Sequence, residues 1–446
     1  MFDLKKPLED YQIEGAQFML DNPRCFNLDD TGLGKTIQTI AAMSEIKDLR
    51  ALVFIPGNIP LQWVQEIEKF TDLSKVILDG DKFKRASQFE AFNEGLINIL
   101  IINYQKIPVD KDLILKSNPN VLVFDEATHL KNEKTISYQV ALELSKKATY
   151  IWELTAMPYS KSISDIFYLF QLLNSEDFEF VQDEFTMGVS LVNKKHYNTP
   201  VSAYNYEEFI EMVKPYFIRR TYEDVKGDIK VLDFNLSELQ PETFVIPKSD
   251  EQIAALQDLS LNINTGLSST QYYFSKLKIA SSPWLYSPKY SKEIPKWNKF
   301  KELLDTLEGK VIVFVRKLDF LDMLIERCKE EHITYTTITG RESIYKKEEN
   351  KQKFIEEDIR VLFITTASMR GGNLQVASSI IFLDIPYTPE NVIQILGRVR
   401  RPGQKLDTNV YFLVAEDTPE EDIMHTLKER QKVSDDIFDT SIAKMF

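Results

Sequence analysis

The sequence is poor in the residues that staple a fold or hold a metal. Among 446 residues there are two cysteines, Cys25 and Cys328, and four histidines. Two thiols so far apart cannot build a disulfide framework or a cysteine-rich metal cluster, so a reducing compartment, the cytoplasm, is expected. Long apolar runs are absent: no window reaches the roughly 18 uncharged residues of a membrane span. The start, MFDLKKPLEDYQIEG, lacks the apolar core of a secretory signal. No membrane partner is expected. Positive charge is also scarce, 54 Lys and Arg against 68 Asp and Glu for a net −14. This excludes a general basic coat but not a local basic groove. From Ser268 to Lys317 ten basic residues face four acidic ones, a balance of +6 that suits either a solvated lysine-rich surface or such a groove.

What is present is a globular composition, 43% hydrophobic and 27% charged with 15 Gly and 18 Pro. At roughly 150 residues per domain the length allows two or three domains. Short, nearly continuous apolar runs recur in two blocks, which predicts strands buried on both faces of a parallel sheet. The first block holds Ala51–Ile55, Ile99–Ile102, Val121–Phe124 and Ile151–Leu154; the second holds Val311–Val315, Val361–Ile364, Ile380–Asp384 and Val410–Val414. Amphipathic helical stretches separate them, so the fold class is α/β with two parallel-sheet domains. From about 160 to 295 the periodicity turns helical with scattered aromatics. The expected division is residues 1–220 for the first domain, with a helical insertion at about 160–215, then 221–295 as helical insertion and linker, and 296–446 for the second domain.

The strongest local signal is Asp29-Asp30-Thr31-Gly32-Leu33-Gly34-Lys35-Thr36, followed by the amphipathic stretch Ile37–Ile46. Glycines let backbone N–H groups close around phosphate oxygens, Lys35 can neutralise the β/γ charge, and the Thr36 hydroxyl can ligate Mg²⁺. The strict P-loop pattern asks for glycine where Asp29 stands. Asp125-Glu126 closes a predicted buried strand about ninety residues on, with Asp125 expected on the metal and Glu126 as the base. A third cluster, Gln394-Ile-Leu-Gly397-Arg398-Val-Arg-Arg401-Pro-Gly-Gln404, lies in the second block. Arg398 and Arg401 are candidate fingers for the transferring phosphoryl group, or else part of a solvated or phosphate-binding face.

In this order the motifs resemble those of the superfamily 2 helicases, and among them the SNF2-like DNA translocases. Leu8-Glu-Asp-Tyr11-Gln12-Ile-Glu-Gly15 resembles the adenine-reading element, in which Gln12 would contact the base. Leu52–Pro56 with Gln62-Trp63 to Phe70 is similar to motif Ia, and Ile102-Asn103-Tyr104 to motif Ib, both contacting the DNA backbone in the family. Asp125–Asn132 resembles motif II, Leu154–Pro158 motif III, and Lys310–Val315 motif IV. Pro215–Val225, with Arg219-Arg220, is similar to the segment that leaves the first motor domain. Arg370-Gly371-Gly372-Asn373-Leu374-Gln375 resembles motif V, and Gln394–Gln404 motif VI. Thr128 stands where the family has histidine, Ala156-Met157 where it has Gly-Thr, and the glycines of motif V are compressed; these positions couple hydrolysis to movement in the family.

The resemblance implies two RecA-like domains with helical insertions between them, ATP and Mg²⁺ as cofactors, and duplex, forked or four-way-junction DNA as partner. The nucleotide site would comprise Gln12, Asp30 to Thr36, Gly371 and Gln394. Motifs running from residue 8 to 404 imply a motor without accessory domains, of the kind found in bacteria and phages, and so a bacterial or phage-infected cytoplasm. The expected function is an ATP-dependent helicase or branch-migrating translocase in replication or recombination, with partners from those processes. The stretch Phe185–Phe209 carries the likeness to fork remodellers. A duplex translocase that strips bound proteins and an ATP-gated clamp with little turnover are the alternatives. For Trp284 and Trp297, core packing is expected over base stacking.

Overall fold

The computed structural model describes Phe2 and residues 4–57, 59–156, 163–173, 214–225, 241–261, 267–366, 374–399 and 408–428. These fall into two units, divided between residues 230 and 231. The first is built on seven strands, β1 (Arg24–Asn27), β2 (Ala51–Ile55), β3 (Lys75–Ile77), β4 (Ile99–Asn103), β5 (Val121–Asp125), β6 (Tyr150–Leu154) and β7 (Phe217–Ile218). They pair in the order β3-β4-β2-β5-β6-β1-β7, and every pairing is parallel. The second unit has β8 (Glu242–Ile246), β9 (Lys310–Phe314), β10 (Tyr335–Ile338), β11 (Val361–Ile364), β12 (Ala377–Phe382) and β13 (Asn409–Ala415). Their order is β10-β11-β9-β12-β13-β8, again all parallel. The two α/β parallel-sheet domains expected from the apolar runs are therefore present.

Alternation explains why those runs are continuous. In the first sheet Leu52, Phe54, Leu100, Ile102, Leu122 and Phe124 enter one apolar cluster. Their neighbours Val53, Ile55, Ile99, Ile101, Val121 and Val123 enter another on the opposite face. Side chains alternate across a strand, so a strand covered on both sides must be apolar at every position. The second sheet repeats this, with Ile312 and Phe314 on one side and Val311 and Val313 on the other.

Five strands escaped the sequence reading. Within the span read as helical insertion and linker, Glu242–Ile246 forms β8 on the sheet edge, exposed at Glu242, Thr243 and Val245. Trp297 is 5% exposed and packs in the second core, with its indole N–H donating to Glu331 Oε1 at 2.8 Å. Trp284 is packed against the same cluster. Trp297 is a core residue, as expected, and Trp284 is half-buried against that core. The stretch Phe185–Phe209 lies outside the described residues.

The basic window resolves mainly into local neutralisation. Lys289, Lys292, Lys296, Lys299 and Lys301 pair with Asp258, Glu326, Glu420, Glu302 and Asp305 at 2.6 to 3.0 Å. Lys310 donates to the carbonyls of Phe354 and Glu357.

Candidate functional site: a phosphate loop on the first sheet

Parallel α/β sheets present loops at the carboxyl ends of their strands, and the candidate site grows from two of them. β1 runs into the loop Leu28–Gly34, and the helix Lys35–Ser44 follows. Gly34 caps that helix with φ +83°, and Gly32 has φ +97°, left-handed conformations that favour glycine. No side chain caps the helix, so its first N–H groups point to where an anion would sit. A Cβ on Gly34 would lie 2.7 Å from Gln12 Nε2. Gln12, expected from the resemblance to read the base, is thus brought against the loop. Its amide also receives the Glu9 backbone N–H at 3.1 Å and donates to the Tyr11 hydroxyl at 3.2 Å.

Lys35 is half-buried, with its ammonium on the carbonyls of Asp29 at 2.5 Å and Asp30 at 3.2 Å. Desolvation pulls its pKa down, and the charges of Glu126, Asp29, Asp30 and Asp125 push it back up. The acidic pair at the end of β5 is thus among the charges that act on the phosphate-loop lysine.

Asp125 is held from two sides. Its Oδ2 accepts the Trp63 indole N–H at 2.8 Å, and its carbonyl accepts the Tyr104 hydroxyl at 2.9 Å. The Tyr104 ring stacks on His129 at 4.5 Å between centroids. Glu126 adopts φ +54°, ψ +57°, a left-handed conformation that costs a non-glycine residue and clusters at functional sites. Trp63 and Tyr104 belong to the segments likened to motifs Ia and Ib, where the resemblance implied DNA contacts. Their grip on Asp125 was not legible in that reading.

Under the loop lies a buried polar network that sequence reasoning missed. Asp29 is 0% exposed. Its carboxylate accepts Arg220 Nε at 3.1 Å, Arg220 Nη2 at 2.6 Å and Gln38 Nε2 at 3.0 Å. Gln38 also donates to the Leu33 carbonyl at 3.2 Å and accepts from Asn27 Nδ2 at 2.8 Å. The acidic residue in place of the first P-loop glycine is the centre of this network. A Cβ at Gly15 would meet Gln38 Oε1 at 1.9 Å, which explains a glycine inside the helix Asp10–Asp21.

The Thr36 hydroxyl and the Asp125 carboxylate are hard oxygen donors that suit Mg²⁺, which takes one or two protein ligands and fills its shell with phosphate oxygens and water. Among the described residues no group of three or more His, Cys, Asp or Glu side chains could hold a metal by itself. When bound, Mg²⁺ would neutralise charge on the phosphates.

In the second unit, Arg398 ends the helix Pro389–Val399 at 2% exposure, and Gln394 is buried on the same helix. Burial removes the solvated-face reading for Arg398. The Arg398 carbonyl accepts the Leu374 N–H at 3.0 Å, tying this helix to a residue of the segment likened to motif V. Arg401 and Gly371 lie outside the described residues.

A glycine-shaped phosphate loop on a parallel sheet, with an acidic pair at the end of the strand two places away, defines a P-loop nucleotide-binding fold, here joined to a second parallel-sheet unit. The chain belongs to the SNF2-related family: an SNF2-related domain matches residues 11–278, and a helicase conserved C-terminal domain matches 295–403. Protein CHROMATIN REMODELING 5 of Arabidopsis thaliana is 24% identical over 95% of this chain and 26% of its own length. The human SWI/SNF-related matrix-associated actin-dependent regulator of chromatin subfamily A member 1 is 25% identical over 94% of this chain and 42% of its own. An uncharacterized ATP-dependent helicase of Mycoplasma pneumoniae is 26% identical over 96% and 42%. The chain thus spans less than half the length of these relatives. The Sulfolobus solfataricus SWI2/SNF2 ATPase core in complex with dsDNA is 22% identical, covering 99% of this chain and 95% of that one, with a TM-score of 0.46.

Proposed function

We propose that the chain is an ATP-driven DNA translocase, a DNA-dependent ATPase whose cycle moves the protein along a nucleic-acid backbone. The observation that carries this reading is the convergence of Lys35, Asp125 and Glu126 at the carboxyl end of the first sheet, where both carboxylates are near enough to raise the pKa of the lysine against its desolvation. A phosphate-loop lysine beside an acidic pair is what nucleotide binding and water activation require. The helicase C-terminal domain in the same chain supports a motor rather than an isolated nucleotide switch. Relatives are named for chromatin remodelling and for ATP-dependent helicase activity, functions exerted on DNA.

The finer reading is action on branched DNA, forks or four-way junctions, in replication or recombination. It rests on the sequence likeness around Phe185–Phe209. A translocase that displaces proteins from duplex DNA shares all the motor residues and differs only in its product.

ATP turnover measured with no DNA, linear duplex, fork and four-way junction tests both levels. DNA is expected to raise turnover, forks and junctions more than duplex, with strand or branch products. Glu126→Gln should retain nucleotide binding and lose turnover, whereas Lys35→Ala should lose binding. Turnover at the parental rate in Glu126→Gln would overturn the assignment of the base. Full duplex stimulation without any branch product would leave the protein-displacing translocase.

A further inference from the structure

We propose that Arg220 is a positioning residue of the nucleotide site, locking the phosphate loop into its binding geometry from the far end of the first unit. This rests on the nucleotide-binding reading above. The guanidinium spans both oxygens of Asp29 and donates to Gln38 Oε1 at 3.1 Å and to the Tyr11 carbonyl. One side chain thereby joins the phosphate loop, the helix Lys35–Ser44 and the helix Asp10–Asp21 that carries Gln12. It also lies over the Tyr11 ring at 5.4 Å.

The backbone of the same segment continues the lock. After β1 and β7 pair at Phe26 with Phe217 and Asn27 with Ile218, the Leu28 N–H donates to the Ile218 carbonyl at 2.8 Å. The Asp30 N–H then donates to the Arg220 carbonyl at 2.9 Å. Residues 217–220 thus template the entry to the loop. The carbonyls so fixed, those of Asp29 and Asp30, are the ones on which the Lys35 ammonium rests. Arg220 therefore sets the position of the phosphate lysine without itself touching phosphate.

The geometry is tight as well as polar. A Cβ at Gly15 would come within 2.5 Å of Arg220 Nη2, so the guanidinium fills the space that glycine leaves. A lysine could supply the charge but not the two-pronged contact with Asp29. Arg220 also stands ten residues before the division between the units at 230 and 231. Displacement of the departing chain must either break the Asp29 pair or move the loop with it.

The test is the equilibrium binding of a fluorescent ATP analogue to the full chain, with thermal melting and the KM and kcat of ATP turnover. Variants are Arg220→Lys, Arg220→Gln, Asp29→Asn and the double variant Asp29→Asn with Arg220→Gln. In Arg220→Lys and Arg220→Gln the nucleotide Kd and KM are expected to rise about 10- to 100-fold, the scale of a misplaced binding group, with kcat at saturation changing less. The double variant removes the unpaired buried carboxylate, so melting should return toward the parent while the Kd stays raised. Restoration of both would show an ion pair that only supports folding, and would overturn the proposal. Parental Kd in Arg220→Lys would overturn it too, and that milder variant retains the buried charge should Arg220→Gln fail to fold. A parent chain that bound no nucleotide would overturn the nucleotide site and this role together; parental binding with unaffected variants overturns the role alone.

Discussion

At the scale of single residues, the first unit contains a buried carboxyl group with no evident work to do. Glu153, on β6, is 0% exposed and neither carboxylate oxygen has a hydrogen-bond partner. It stands in register with Phe26 and Phe124. Burial among such neighbours drives its pKa well above the ordinary 4.5, so the folded chain keeps a proton that the unfolded chain releases. The sign follows from linkage: the native state binds more protons, so stability is complete below the ordinary carboxylate value and falls as pH rises toward the raised one. Replacing Glu153 by Met should stabilise the fold by about 1–3 kcal/mol, the cost of a buried unsatisfied polar group. The gain should be larger at about pH 8 than at about pH 5. Thermal melting at both values checks it, and a gain independent of pH would mean that the carboxyl does not titrate in this way.

At the scale of elements, the helix Pro60–Phe70 does two jobs with one face. Its apolar residues Trp63, Ile67 and Phe70 pack on the first sheet. Trp63 then turns its N–H to the Asp125 carboxylate, joining the segment likened to motif Ia to the expected metal ligand. Partners that orient a metal ligand typically contribute about 10- to 100-fold in metal affinity. Trp63→Phe retains the apolar face but removes the donor, so nucleotide binding in the presence of Mg²⁺ should weaken by about tenfold while binding without the metal stays near the parental value. An equal Mg²⁺ effect on Kd in variant and parent would show that the indole is there for packing alone.

Elements also explain what the sequence could and could not disclose. The central strands β2, β4, β5, β6, β9, β11, β12 and β13 were legible because burial on both faces writes an unbroken apolar run. Edge strands carry no such record: β8 has no buried residue and is exposed at Glu242, Thr243 and Val245, and β3 has only three half-buried ones. β1 is flanked by β6 and β7 yet escaped notice, because its last residue, Asn27, is buried for its bonds to Gln38 and to the Asp29 N–H rather than for apolar packing. The phosphate loop and acidic pair were readable from glycine and charge spacing. The Asp29–Arg220 contact was not, since its partners are 191 positions apart and Asp29 read as a departure from the P-loop pattern.

At the scale of the whole molecule, a net charge of −14 and the proposed binding to a nucleic-acid backbone must be reconciled. Most lysines of the basic window are neutralised nearby, so the +6 balance does not translate into a groove of that charge. Four residues differ, of which Lys276 lies over the Tyr272 ring at 5.0 Å and the other three share one environment. Arg316 and Lys317 follow the end of β9, and Lys278 belongs to the helix Ser269–Ser281; none makes an ion pair among the described residues. Lys317 has its pKa lowered by burial, and by the charges of Arg316 and Lys278. Arg316 lies over the Tyr387 ring at 4.6 Å and donates to the Ile385 carbonyl at 3.2 Å. Mutual repulsion of this kind is relieved by an anion, and the carboxyl end of a parallel sheet is where ligands bind. DNA affinity should therefore fall steeply between about 50 and 200 mM salt despite the acidic total, because each phosphate contact releases counterions. Arg316→Ala or Lys317→Ala should weaken binding alike on all sequences and reduce the log–log salt slope by about 1 each. Lys292→Ala and Lys301→Ala, whose lysines already hold Glu326 and Asp305, should leave the slope unchanged. Titrations of labelled duplex across that salt range decide the matter: if all four variants share the parental slope, the backbone contacts lie elsewhere, and if the parent shows no slope at all, the chain does not hold DNA through its phosphates.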